Sequence, residues 1–281
     1  MTAATTNIWL FLPQDWLEKS PSRKFLTPEQ ESRVRLGIAD FIIRLGAALK
    51  LDSYTIFAAT LYVHRFYMRV PITSSKYYVA SAAVAISCKL HDTYRQPDKI
   101  ALAGCNIRSA ARTVTETSDV FWQWRDQLLY REELLLRFLN FELNIDFPYK
   151  LQNRLVEVSE DTEGDFGEKG EEIVKKAVSM LELVSALPIL IFYNVEVVLA
   201  TMLVYQVMVS KDKYGIKRVP SGLISKVTAV DVNECFQCYK WTRLALSHCN
   251  DPKDRLCTPF LALAKSFKSL TLEEFAAVAN F

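Results

Sequence analysis

The sequence is poor in the groups that enzymes use. It has only three histidines, His64, His91 and His248, and none stands at metal-ligand spacing from a partner. It has no phosphate-cradling glycine loop of the P-loop kind and no G-x-S-x-G nucleophile elbow. Asp165-Phe166-Gly167 copies the kinase magnesium triplet, yet no glycine-rich loop precedes it. His64-Arg65-Phe66 lacks the aspartate that a kinase catalytic loop uses as base. Both are chance matches of short strings. Of six cysteines, only Cys235 and Cys238 lie close together. They fall in a helical pattern, with no second Cys/His pair and no βαβ unit, so neither zinc nor redox chemistry is expected of them. No catalytic residue, metal or cofactor is expected.

Other absences bound the setting. Residues 1–6 carry no basic n-region and no apolar core, so no signal peptide is expected and reduced thiols are the default. Net charge is +2, too balanced to imply nucleic-acid binding by charge. One apolar run, Ala186 to Val209, approaches bilayer length. Pro188, Asn194 and Glu196 interrupt it, and a charge near mid-span is costly in lipid. It reads as a helix end, a turn and a second buried helix of a soluble protein, with no membrane partner.

What is present is helix. Half of the residues are hydrophobic and 12% are aromatic, enough for a sizeable core. Trp9, Phe11, Trp16 and Phe25 sit in an irregular leading segment, a strap that either caps its own domain or meets a partner. Thr27-Pro28-Glu29 starts a helix to about Lys50. Further helices are predicted from Ser53 to about Val70, from about Tyr77 to Leu90, from Pro97 to about Cys105, and from Asp119 to about Leu143. Residues 106–118 read as a loop. The second half restarts with a helix over 149–159, an acidic loop over 160–172, and helices at 173–187 and 195–209. A short helix near Ser221, a longer one from about Asp231 to Ser247 and two pieces in 251–281 complete it. No stretch reads as a sheet.

The stretch Tyr77–Leu90 organises the first half. It has no polar face, so it belongs in the middle of a bundle. Its alanines and serines admit close neighbours. Lys89 closes its last turn, where a cation suits the helix dipole, and a polar elbow, His91-Asp92-Thr93-Tyr94-Arg95, follows. The helix at 195–209 echoes it: each is third in a run of five, which is a weak repeat at domain scale.

Taken together, several stretches resemble the cyclins, specifically the transcriptional class of cyclins T, K and L and the fungal cyclins of RNA polymerase II tail kinases. They are Val63-His64-Arg65-Phe66-Tyr67-Met68, the alanine-rich helix ending in Cys88-Lys89, and Arg95 after the elbow. With them go Phe121-Trp122-Gln123-Trp124-Arg125-Asp126, Arg131-Glu132-Glu133-Leu134-Leu135-Leu136 and Leu139-Asn140-Phe141-Glu142-Leu143. The likeness covers about residues 9–150; beyond them only the helix pattern carries it. It implies an all-α chain of two tandem five-helix cyclin boxes: a strap at 1–28, boxes at 29–145 and 146–250, and C-terminal helices at 251–281. It implies a nuclear regulatory subunit, not an enzyme. The partner would be a transcription-type cyclin-dependent kinase acting on the RNA polymerase II C-terminal domain, with room for a third regulatory subunit.

By position, Lys89 and Glu132 are the polar anchors for the kinase, Leu90, Leu136 and Phe141 add apolar contact, and Arg95 joins them. Without the resemblance, Lys89 is an ordinary helix-end lysine and Glu132 a surface acid beside Glu133. His64 and Arg65 read as structural, and Trp122 and Trp124 as core or surface alike. There are departures. His91-Asp92 replaces two acids usual after the lysine, and Asn140 stands where glycine or threonine is usual. Val34-Arg35-Leu36-Gly37-Ile38 matches the family's substrate-docking site only in part, so docking there is not expected. The rival reading is a cyclin-fold transcription factor on DNA. It requires a basic face, and the near-neutral charge argues against it.

Overall fold

The structure, a computed structural model, describes residues 7–109, 113–160 and 165–280. Among the described residues every regular element is helical. The chain divides into two compact units, Met1–Ile145 and Asp146–Phe281.

The first unit holds α1 (Pro13–Lys19), α2 (Pro28–Leu49), α3 (Ser53–Phe66), α4 (Lys76–Leu90), α5 (Pro97–Arg108) and α6 (Asp119–Phe138). The helix starts follow local chemistry. Thr27 and Gln30 form a reciprocal capping box on α2. The Thr55 amide donates to the Asp52 carboxylate at 2.8 Å, opening α3. Val79 to Cys88 of α4 are all buried, and α2, α3, α5 and α6 pack around it. Small residues make this possible. A Cβ on Gly104 of α5 would lie 2.9 Å from the Trp124 indole nitrogen. That nitrogen donates to Ser81 Oγ at 3.2 Å. Trp124 is core, whereas Trp122 is 48% exposed.

The helix ends depart from the sequence expectation. α3 stops at Phe66 and not Val70, α5 runs on to Arg108, and α6 stops at Phe138 and not Leu143. The apolar spacing of α6 continues past its true end, but Asn140 and Phe141 adopt positive φ, 53° and 54°. The Phe141 amide then donates to Leu136 O at 2.9 Å and the Asn140 amide to Arg137 O at 3.0 Å, a Schellman closure. α2 ends the same way. Lys50 sits at φ 52°, with the Leu51 amide on Gly46 O at 2.9 Å and its own amide on Ala47 O at 3.2 Å. α4 ends with Asp92 at φ 53° and the Thr93 amide on Cys88 O at 3.2 Å.

The second unit holds α7 (Pro148–Glu160), α8 (Asp165–Val184), α9 (Val195–Tyr214), α10 (Leu223–Val227), α11 (Val232–Ser247), α12 (Leu261–Ser266) and α13 (Leu272–Ala279). α9 is its buried rod, packed by α7, α8, α11 and α13. Among the described residues no helix is long and apolar enough to cross a membrane. The expected acidic loop at 160–172 is a correction: α8 begins at Asp165, with 161–164 outside the described residues. Lys175 pairs with Glu171 at 2.6 Å and Lys176 with Glu172 at 2.7 Å, both one turn apart, so the charges support helix. Gly170 lets α8 meet α7, since a Cβ there would lie 2.7 Å from Ser159 Cβ. The last helix is part of this core. Phe275 is fully buried beside Phe236 and Tyr239, and the Val219 amide donates to Val278 O at 2.8 Å.

Candidate functional site

The packing of α4 on α6 brings the two sequence-distant charges together. Lys89, in the last turn of α4, forms an ion pair through Nζ with Glu132 Oε1, in the middle of α6. Their side chains are 47% and 12% exposed. Glu132 is thus held nearly inside, with its second oxygen left to accept, and Lys89 retains donor hydrogens at the surface. Leu136 lies one helical turn beyond Glu132 and is half-buried. The Schellman closure turns the Phe141 amide back onto the Leu136 carbonyl, and the residue is 68% exposed. Leu90, next to the lysine, is 46% exposed. Leu90 is thus on α4 with Lys89, Leu136 on α6 with Glu132, and Phe141 just past the end of α6. The neighbouring Glu133 is an ordinary surface acid paired with Arg137 at 3.5 Å.

Arg95 is placed differently. Its guanidinium donates to Leu49 O at 3.1 Å, Lys50 O at 3.3 Å, Thr93 O at 3.1 Å and Tyr94 O at 3.0 Å. Its donors serve the chain itself: a cation closes the C-terminal carbonyls of α2 and ties the elbow to them. The elbow is further braced by the Thr55 and Thr93 hydroxyls at 2.9 Å and by Ser87 Oγ on Thr55 O at 2.8 Å. Burial lowers the His91 imidazole below its ordinary 6.5, against the opposing pull of Asp52 and Asp92.

Sequence reasoning missed the cluster that fixes the strap. Glu31, fully buried, accepts from Trp16 Nε1 at 3.1 Å, Ser20 Oγ at 2.7 Å, Arg23 at 3.2 Å and Arg35 Nε at 2.9 Å. Arg35 continues to His64 Nδ1 at 3.2 Å, His64 O at 3.3 Å and Tyr67 O at 3.2 Å. Burial pulls the Arg35 guanidinium down and the Glu31 charge pulls it back up. His64 and Arg65 are buried. With Arg35, Leu36 and Ile38 also buried, the 34–38 segment offers little to a docking peptide.

This arrangement defines a class. A buried central helix ringed by four others, with a lysine at its tip paired to a glutamate of the last helix, is the plan of a cyclin box. Residues 7–144 match the cyclin N-terminal domain, so the chain carries that domain of the cyclin family. Within it, the chain is similar to the cyclin pch1 of Schizosaccharomyces pombe, 32% identical over 148 residues. That match takes in 51% of this chain and 43% of pch1. Human cyclin-T1 is 30% identical over 144 residues, 50% of this chain and 20% of that one. The chain therefore matches less than half the length of these curated relatives. Among solved structures, a chain of the yeast RNA Pol II CTD kinase CTDK-1 complex superposes with a TM-score of 0.59 at 14% identity. The superposition covers 89% of this chain and 83% of that one, a likeness of fold.

Proposed function

We propose that this chain is a regulatory cyclin of the transcriptional class. It binds and activates a cyclin-dependent kinase that phosphorylates the RNA polymerase II C-terminal domain, and it works in the nucleus. The observation that carries the reading is the Lys89–Glu132 pair, open to solvent through Lys89, with exposed Leu90 next to the lysine and exposed Phe141 just past the end of the helix that carries Glu132. The similarity to pch1 and cyclin-T1 supports the transcriptional class, and the fold shared with a CTD kinase complex supports the substrate.

In this reading the patch receives the kinase's mobile αC helix. Lys89 and Glu132 satisfy polar groups of the docked segment, and Leu90, Leu136 and Phe141 bury its apolar side. Held inward, αC brings its glutamate to the kinase's catalytic lysine. Moving the kinase from about 1:99 to 99:1 in favour of its active form requires roughly 5.5 kcal/mol of preferential binding. A patch of two charges and three large apolar side chains is of the size to supply it. Arg95 joins these kinase contacts from the elbow, which it ties to the end of α2. We assign the strap to residues 1–28, the first box to 29–145, the second to 146–250 and the closing helices to 251–281. The second half, where the likeness lies in helix pattern, is the place for a third regulatory subunit.

The test is reconstitution. The purified chain is mixed with a purified transcriptional cyclin-dependent kinase, and phosphate transfer to a polymerase-tail repeat peptide is measured. Activity that requires both proteins supports the reading. No activation of any such kinase refutes it.

A further inference from the structure

Phe141 is a large aromatic residue at φ 54°, a backbone state that only a supporting environment maintains. The support comes from α3 and the turn just beyond it. Tyr62 donates its hydroxyl to Leu143 O at 2.7 Å. Arg65 donates to Asn144 O at 3.1 Å. Arg69 donates to both Phe138 O and Asn140 Oδ1 at 3.0 Å. The turn on either side of Phe141 is thus held by three side chains from one segment.

Both arginines rest on a single ring. The Arg65 guanidinium lies 5.4 Å and that of Arg69 4.3 Å from the centre of Trp9. Trp9 belongs to the strap before α1, yet it is only 2% exposed. A cation held over an indole face is attracted to it, and its fork is restricted to one plane. The indole therefore sets where the arginine forks can reach, and the forks set the turn.

We propose that Trp9 is a positioning residue for partner binding: through Arg65 and Arg69 it fixes the 138–144 turn and the angle at which Phe141 meets the kinase. This rests on the assignment of Phe141 to the kinase contact above. Trp9 itself need not touch the partner. Loss of the ring leaves the Lys89–Glu132 pair in place while freeing the turn, so it weakens affinity without removing the anchors.

The experiment uses the full chain as wild type, Trp9→Ala, Trp9→Phe and Arg69→Lys. Two quantities are read: amide exchange in peptides covering 138–144 and in peptides of α4, and the Kd for a purified transcriptional cyclin-dependent kinase. Trp9→Ala is expected to raise exchange in 138–144 about tenfold, with α4 protected as in wild type, and to weaken Kd severalfold. Trp9→Phe keeps an aromatic face and restores most of both. Arg69→Lys keeps the charge but loses the fork, and it reproduces the effect from the surface of the unit. Should Trp9→Ala loosen α4 as well, the Arg69→Lys result decides. Unchanged exchange in 138–144 for Arg69→Lys overturns the proposal, as does faster exchange with an unchanged Kd. If the wild-type chain itself binds no kinase, the functional reading fails first and the positioning role with it. If wild type binds and Trp9→Ala binds equally, only the positioning role fails.

Discussion

Glu31 is a buried negative charge shared by donors from the strap, from the turn after α1 and from its own helix. Its ion pair with Arg35 is fully buried on both sides. Glu31→Gln keeps the shape and removes the charge, leaving Arg35 buried without a counter-ion. The expected cost is about 3–5 kcal/mol of unfolding free energy, read from urea denaturation. A loss within about 0.5 kcal/mol, the range of an ordinary surface change, would contradict this. None of this was legible in the sequence. An acid in the first turn of a helix reads as a dipole partner, and its donors sit at no regular spacing from it. The Lys89–Glu132 pair was legible only through the family resemblance. A lysine at a helix end and one glutamate among several have no local signature. Arg95 shows the converse: its position in the family pattern was visible, but only the fold shows its donors on the carbonyls of Leu49, Lys50, Thr93 and Tyr94.

In the first unit the helix starts were readable, as were the ends of α2 and α4, whereas the ends of α3, α5 and α6 were not. Thr27, Asp52 and Ser118 cap their helices as such residues do. The ends of α2, α4 and α6 use Lys50, Asp92 and Asn140 in the left-handed state, so the glycine that marks such a stop is missing. Lys50→Gly should therefore stabilise the protein, by about 1 kcal/mol once the greater freedom of glycine in the unfolded chain is set against the relieved strain. A urea midpoint at or below wild type would contradict it. The start of α8 failed for another reason: its acids looked like a solvated loop, whereas Glu171 and Glu172 find partners one turn away on the same helix, and Glu172 finds others on α9. Glu172 accepts from Lys176, Lys213 and the Tyr214 hydroxyl, and these bonds hold its carboxyl down at about 2, against an ordinary 4.5. A depressed carboxyl contributes its stability above the ordinary value and loses it as the pH falls from 4.5 towards about 2. Wild type should lose more stability than Glu172→Gln across that window. Parallel pH dependence of the two would contradict the assignment. The group is at the surface, so the difference is small.

At the scale of the molecule, two almost wholly apolar helices predicted two buried rods, and α4 and α9 are those rods. That much followed from composition and period alone, because a helix without a polar face has nowhere to go but inward. What period cannot supply is which surfaces face a partner. The pair at the tip of α4 arises only when packing brings residues 89 and 132 to one place. Its claim to function is a claim about coupling: Lys89 and Glu132 act on the partner as a unit. The most direct test is a double-mutant cycle, with the binding of wild type, Lys89→Ala, Glu132→Ala and the double variant to a purified transcriptional cyclin-dependent kinase measured by calorimetry. Each single variant should weaken Kd about tenfold or more, and the double should be little worse than the worse single, a coupling of at least about 1 kcal/mol. Single variants that keep their thermal midpoint and bind with wild-type affinity would contradict the assignment of this patch as the kinase site.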